Sequence, residues 1–318
     1  MPNFGLIGVG GFIAPRHLKA IKDTGNRLVT AMDPSDSVGV IDSFFPDADF
    51  FTEFERFDRH TDKLRRAGDG RAVEYVSICS PNYLHDAHIR FALRSQAHAL
   101  CEKPILLNAR NLDGLAEIER ETGRRVFTVL QLRLHPAIIA LKERIAASPR
   151  GETVDVDLTY ITGRGNWYFH SWKGDVEKSG GVATNIGVHF FDMLHYVFGR
   201  LKGSRVHART QSMASGFLEY ARARVRWFLS VDVRDLPTAA RERGLRTHRS
   251  LRIAGDEVEF SDGFADLHTR VYEEMLAGRG FGLEENRVAL ETVGEIRDAT
   301  PLGLTGDYHP RLREVAHA

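Results

Sequence analysis

The sequence predicts an α/β protein in two parts: a Rossmann-like order of parallel strands and helices, forming a doubly wound sheet, and then an α+β domain with a large, mainly antiparallel sheet. Three observations predict it. Apolar, β-branched segments alternate with amphipathic ones through the N-terminal part, as parallel strands joined by helical crossovers do. In the C-terminal part, TVDVDLTYIT and YARARVRWFLSVDV alternate in the manner of strands with one wet face. The 318 residues also exceed what one ordinary core serves.

Strands are expected at Phe4–Val9, Leu28–Met32, Tyr75–Cys79, Ala97–Cys101 and Val126–Leu130, with helices at Arg16–Lys22, Glu53–Arg66, Asn82–Ser95 and Asn111–Glu121. The character changes after Arg133, where a short helix over Ile138–Ala146 leads into the long alternating stretches. The expected domains are therefore 1–132 and 133–318. Residues 180–197, GGVATNIGVHFFDMLHYV, read as an apolar helix on the dry face of the second sheet.

Hydrophobic residues at 42% and charged residues at 27% are those of a well-packed soluble protein. Lys plus Arg and Asp plus Glu are both 43, so no global field attracts nucleic acid or an anionic membrane. The basic run RERGLRTHR is a solvated loop. Cys79 and Cys101 lie in apolar stretches without metal-type spacing and read as buried thiols in a reducing compartment. No apolar run approaches the roughly 20 residues of a membrane span, and the chain starts without a basic leader, so a cytoplasmic protein is expected.

The first strand runs into Gly8-Val9-Gly10-Gly11-Phe12-Ile13-Ala14 and then a helix. In a dinucleotide-binding (Rossmann) fold the first glycine makes the tight turn, the second admits the pyrophosphate, and the third position packs the helix. Here the third position is Ile13; alternatively the turn carries one extra residue and Gly11 and Ala14 are the small residues that matter. Asp33 ends the second strand about 20 residues onward, where a carboxylate accepts both adenosine ribose hydroxyls and repels a 2′-phosphate. That favours NAD over NADP. Asp36 either shares this role or caps the next helix.

Ligands of such sheets bind outside the carboxyl ends of the strands. One strand ends in Ser80-Pro81-Asn82-Tyr83-Leu84-His85, another in Glu102-Lys103-Pro104. Ser80, Pro81, Asn82, His85, Glu102 and Lys103 are cofactor-site candidates. SPN is also a helix cap with a stiffened turn, and a lone histidine such as His85 is more often a surface helix residue. Lys103 stands directly after an apolar strand and before a proline, where a partly buried amine serves as hydrogen-bond donor or acid.

In the apolar segment 180–197, Asn185, His189 and Asp192 fall at i, i+4 and i+7 of a helix and share one stripe. A hydrogen-bonded core histidine is the plain alternative. HxxDxxH over His189, Asp192 and His195 does not make a metal site, because each step of three advances the helix by about 300° and turns His195 away from His189. No metal is expected. Oxidising a secondary alcohol removes hydride from carbon and a proton from oxygen, and an imidazole, with an ordinary pKa near 6.5, suits the proton. His189 is the leading base and Lys103 the donor to the developing alkoxide, or the two exchange roles. Asn185 orients the substrate; Asp192 positions His189 or caps a backbone group. Arg164, Asn166, Trp167, Tyr168, Trp172 and Lys173 form a loop dense in donors and aromatic faces, either a substrate site or an oligomer contact.

The glycine turn, SPNYLH, EKP and GGVATNIGVHFFDML, in this order and spacing, resemble the Gfo/Idh/MocA family of NAD(P)-dependent sugar and polyol oxidoreductases over essentially the whole chain. Within that family RGNWYFHSWKGD, GVATNIGVHF, PRHLKAIKDTGN and VRWFLSVD resemble the bacterial enzymes that oxidise UDP-N-acetyl-2-amino-2-deoxyglucuronate at C3 for O-antigen sugars. The resemblance implies a UDP-sugar substrate, with Gln131 and Arg133 where the family places nicotinamide and substrate contacts. It implies a homotetramer or homodimer and, in some relatives, re-oxidation of bound NADH by 2-oxoglutarate. Many family members have an acidic residue where this chain has Asn185, so a mechanism needing a carboxylate there does not transfer. The alternatives are a dehydrogenase of another sugar or polyol, an NAD-assisted glycosidase, and an NAD-binding redox sensor without turnover.

Overall fold

The computed structural model describes residues 1–149, 151–258, 260 and 266–316. The chain forms two units, one of Met1–Gln131 with Ala265–Arg287, the other of Leu132–Phe264 with Val288–Ala318. In the first, strands β1 (Asn3–Ile7), β2 (Arg27–Met32), β3 (Asp49–Phe51), β4 (Tyr75–Ile78), β5 (His98–Cys101) and β6 (Val126–Thr128) form a parallel sheet in the order β3-β2-β1-β4-β5-β6. This is the dinucleotide-binding order, with the chain reversing direction between β1 and β4. All five β1 residues are buried, as a central strand covered on both faces requires.

Strand β3 is absent from the sequence reading because three half-buried residues are too few to show a period. The helix expected over Asn82–Ser95 is a 3₁₀ turn, Asn82–Leu84, followed by an α-helix, His85–Arg94. The expected single cut between the domains also needs correction. Residues 265–287 return to the first unit, where the helix Leu267–Leu276 packs on Ala14–Asp23 and buries Leu267, Val271, Tyr272 and Met275. Amphipathic periodicity shows that such a helix is packed but not against which sheet.

In the second unit β7 (Val154–Thr162), β8 (Leu201–Arg209), β9 (Met213–Tyr220), β10 (Ala223–Ser230), β11 (Thr247–Ile253) and β12 (Asp256–Glu257) order as β12-β11-β7-β10-β9-β8. Only the β7–β10 pair is parallel among the described strands. Alternation sends Val225, Trp227 and Leu229 inward against Val188, Phe191 and Leu194. Asp155 and Asp157 pair with Arg224 and Arg226 on the opposite face.

The apolar segment is not one helix. It forms Gly181–Asn185 and Val188–Phe198, broken at Ile186 and Gly187. Packing explains why a glycine stands at the break: a Cβ on Gly187 would lie 2.4 Å from the Ala183 carbonyl oxygen and 2.5 Å from Leu229 Cδ1. Asn185 and His189 therefore belong to different helices, and the single stripe expected of Asn185, His189 and Asp192 does not exist as a helical feature. Gly187→Ala is expected to destabilise the protein by about 1–3 kcal/mol, the range of an overpacked core, measured as a lower denaturation midpoint.

Candidate active site

In the first unit, β1 delivers the chain into the glycine turn. Gly8 has φ +88°, and a Cβ there would lie 2.6 Å from the Cys79 carbonyl carbon, so only glycine fits. The Gly11 N–H donates to the Gly8 carbonyl at 3.0 Å and closes the turn. Phe12 is exposed, Ile13 precedes the helix, and Ala14–Asp23 begins without a side-chain cap. The Ala14 N–H donates to the Gly11 carbonyl at 3.1 Å, the Arg16 N–H to the Ile13 carbonyl at 3.0 Å, and Pro15 has none, so what this end offers an anion is the positive end of the helix dipole. Asp33 accepts the Gly10 N–H on Oδ2 and the Ser35 N–H on Oδ1, both at 2.9 Å. The acidic residue and the turn are thus one hydrogen-bonded piece.

The two motif-bearing strand ends are joined by His85. Its Nδ1 lies 2.7 Å from the Pro104 carbonyl and its Nε2 2.8 Å from the Ser80 carbonyl. His85 is fully buried, which displaces the surface-helix reading. Ser80 does not cap the helix: its hydroxyl pairs with His88 Nδ1 at 2.8 Å. Asn82 is buried, Pro81 and Lys103 are half-buried, and the Lys103–Pro104 peptide is cis. Cys79 and Cys101 are free and buried, and burial pushes both thiols up.

Glu102 turns inward. Its Oε1 accepts from His17 Nε2 and His268 Nε2, each at 3.1 Å, and its Oε2 accepts the Lys103 backbone N–H at 3.2 Å. Burial opposes ionisation of Glu102, but the two imidazole hydrogen bonds outweigh it and hold the carboxyl well below the usual range. Burial likewise pushes His17 down, so the pair is a neutral imidazole and a carboxylate. Since His17 Nε2–H must donate, its Nδ1 accepts from the Tyr272 hydroxyl at 2.8 Å, and Ser77 Oγ–H donates to Tyr272 at 2.6 Å. His17, Glu102 and His268 have metal-ligand chemistry, with donor atoms within 4.8 Å of one another, and both imidazole nitrogens are hydrogen-bonded to one carboxylate oxygen. Sequence reading missed His17, His268, Tyr272 and Ser77, and no local pattern marks them.

Gln131, at the end of the first unit, is buried, and among the described residues its Oε1 has no hydrogen-bond partner. Such an orphaned acceptor fits a ligand carboxamide N–H. With the glycine turn, the positive helix end and Asp33, the residues present fit a nicotinamide dinucleotide.

In the second unit Arg133 makes a two-pronged pair with Asp192, Nε to Oδ2 at 3.0 Å and Nη2 to Oδ1 at 2.7 Å. Asp192 was expected to orient His189 or cap a backbone group; both of its oxygens hold this guanidinium. Arg133 also lies over the Tyr196 ring, 5.1 Å from its centroid, and Lys142 lies 3.5 Å from the same centroid. Half-buried His189 stacks edgewise on Phe190 at 4.3 Å. Asn185 Nδ2 donates to the Tyr168 hydroxyl at 3.0 Å. Tyr168 itself is buried in the core, so its influence runs through Asn185. Lys173 stands over Trp172 at 4.3 Å and Trp167 at 5.6 Å, and burial together with Arg164 pushes its amine down. Trp167 and Asn166 are exposed, Arg164 half-buried.

Family models match both parts of the chain: the NAD-binding Rossmann fold of the oxidoreductase family over residues 2–130, and its C-terminal α/β domain over 142–233. The chain belongs to the Gfo/Idh/MocA oxidoreductase family. Two solved structures of the WlbA (WbpB) dehydrogenase from Thermus thermophilus are similar to it. One, with NAD and α-ketoglutarate, is 52% identical, the other, with NAD and UDP-GlcNAcA, 51%; each match covers 98% of this chain and 99% of the other at a TM-score of 0.93. Among curated relatives, glucose-6-phosphate 3-dehydrogenase of Bacillus subtilis is 25% identical over 207 residues, 62% of this chain and 54% of that protein. The chain spans about half the length of that relative.

Two outcomes follow from these surroundings. Asp192→Ala is expected to destabilise by about 3–5 kcal/mol, because it leaves a buried guanidinium without its counter-ion, measurable by denaturant titration. His88 and His309 are pushed down to about 4, chiefly by burial. The unfolded chain then binds more protons than the native one between about pH 6.5 and 4, so stability falls on acidification through that window and levels off below it. His88→Gln should flatten part of this slope, by at most about 3 kcal/mol, in melting curves taken across the range.

Proposed function

We propose that this family member catalyses NAD-dependent oxidation of the 3″-hydroxyl of UDP-N-acetylglucosaminuronic acid to the 3-keto sugar. The observation that carries the reading is 52% and 51% identity, across 98% of the chain, with a dehydrogenase whose structures hold NAD and UDP-GlcNAcA. The glycine turn, Asp33, Gln131, Lys103 and His189 support it on chemical grounds.

Bound NAD supplies the hydride acceptor. The protein contributes the glycine turn and helix end for the pyrophosphate, Asp33 for the adenosine ribose, and the orphaned Gln131 oxygen for the carboxamide. Oxidation at C3 requires that the hydroxyl proton leave as hydride departs from carbon. His189 takes that proton, and Lys103 donates a hydrogen bond to the oxygen as negative charge develops on it. Asn185, braced by Tyr168, orients the sugar. Arg133, Arg164 and Lys173 provide cationic donors for the carboxylate and diphosphate, and Trp167 and Trp172 provide flat faces for the uracil, with Asn166 beside them. The product is a keto sugar suited to later transamination in lipopolysaccharide O-antigen synthesis. 2-Oxoglutarate, reduced at its keto carbon to a 2-hydroxy acid, is the re-oxidant. The enzyme works in the cytoplasm as a homotetramer.

Purified protein given UDP-GlcNAcA should form 3-keto sugar without releasing UDP, followed by chromatography and by nicotinamide absorbance near about 340 nm. Lys103→Ala and His189→Ala should each lower kcat by about 10²- to 10⁴-fold. UDP release without keto sugar, or variants with unchanged turnover, would overturn the reading.

A further inference from the structure

The reactive amine assigned to Lys103 sits at the end of a flexible four-carbon chain, so its placement depends on how firmly its root is held. The root is held on both sides. The Lys103 N–H donates to Glu102 Oε2 at 3.2 Å, and the carbonyl of the next residue, Pro104, meets His85 Nδ1 at 2.7 Å. Glu102 is fixed in turn by His17 and His268 on its other oxygen, and His17 by Tyr272 and Ser77. Glu102, His17, His268, Tyr272, Ser77 and His85 are all buried.

The proton positions run in one sense only. An ionised carboxylate can only accept, so both imidazoles present Nε2–H to it, which fixes His17 as the tautomer that accepts from Tyr272. His268 comes from the segment that rejoins the first unit more than a hundred residues after β6. We infer that Glu102, held by His17 and by His268 from that returning helix, is a positioning residue for Lys103, fixing the backbone from which the lysine reaches the substrate hydroxyl. The inference rests on the role proposed above for Lys103. It differs from a cofactor contact: both oxygens of Glu102 face groups of the protein.

Glu102→Gln isolates the decisive contact. A glutamine keeps its single carbonyl oxygen on the two imidazole N–H groups, two bonds against one, and so turns its NH₂ toward the Lys103 N–H, donor against donor. The expected result is an amide proton of Lys103 that exchanges with solvent at least about tenfold faster in the ligand-free protein. With substrate, kcat falls by about 10- to 100-fold, as small misplacements of reacting groups cause. KM for the sugar nucleotide and Kd for NAD stay within a few fold, and the deuterium isotope effect at C3 rises as hydride transfer becomes limiting. A role confined to stability would instead move KM, Kd and melting temperature together. Tyr272→Phe, which deletes one buried hydroxyl at little change in volume, is the second variant, with the same pattern at smaller amplitude. Wild-type exchange and wild-type kcat in both variants overturn the inference. If the parent protein makes no keto sugar, the functional reading fails, while the exchange comparison still decides whether Glu102 clamps Lys103.

Discussion

A buried carboxylate at the end of β5 organises the first unit. Glu102 remains charged where charge is costly because three donors surround it, two from imidazoles and one from the backbone that follows. Its partners come from the helix after the glycine turn and from a helix near the end of the chain, so one ion ties the nucleotide-binding end of the sheet to a distant stretch of sequence. Removing any partner leaves a buried polar group unsatisfied, which makes the arrangement all-or-none.

The second unit solves a related problem differently. A guanidinium and a carboxylate, Arg133 and Asp192, are buried as a two-pronged pair, and an aromatic ring shields the cation. Beside it the apolar helix breaks at a glycine that a sheet side chain presses against. The break sets the direction of the helix carrying His189 separately from that of the short helix carrying Asn185.

The fold was legible in the sequence wherever burial imposes a period. The β–α alternation, the switch to antiparallel strands and the glycine turn all follow from local rules, and the family match agrees with them. Three-residue β3 and the bipartite first unit escaped, since the first is shorter than a period and the second depends on which partner a helix chooses. Among site residues, Asp33, Ser80, Glu102 and Lys103 were singled out because strand ends face ligands, and Gln131 through the family resemblance. The sequence could not show where their side chains would turn: Glu102 points inward to His17 and His268, 85 and 166 residues away, and His85 to the Ser80 and Pro104 carbonyls, pairings that only the fold creates. The pairing of Asp192 with Arg133, 59 residues away, was not legible because no local spacing relates the two.

The double engagement of Asp33 bears on how such a protein could evolve. Its carboxylate shapes the turn through Gly10 and Ser35, besides being read as the acceptor for the ribose. Dinucleotide preference and loop architecture are therefore inherited together. A lineage drifting toward the phosphorylated coenzyme would need a compensating change within the turn before or alongside any exchange of this acid, and its route through sequence space is correspondingly narrow.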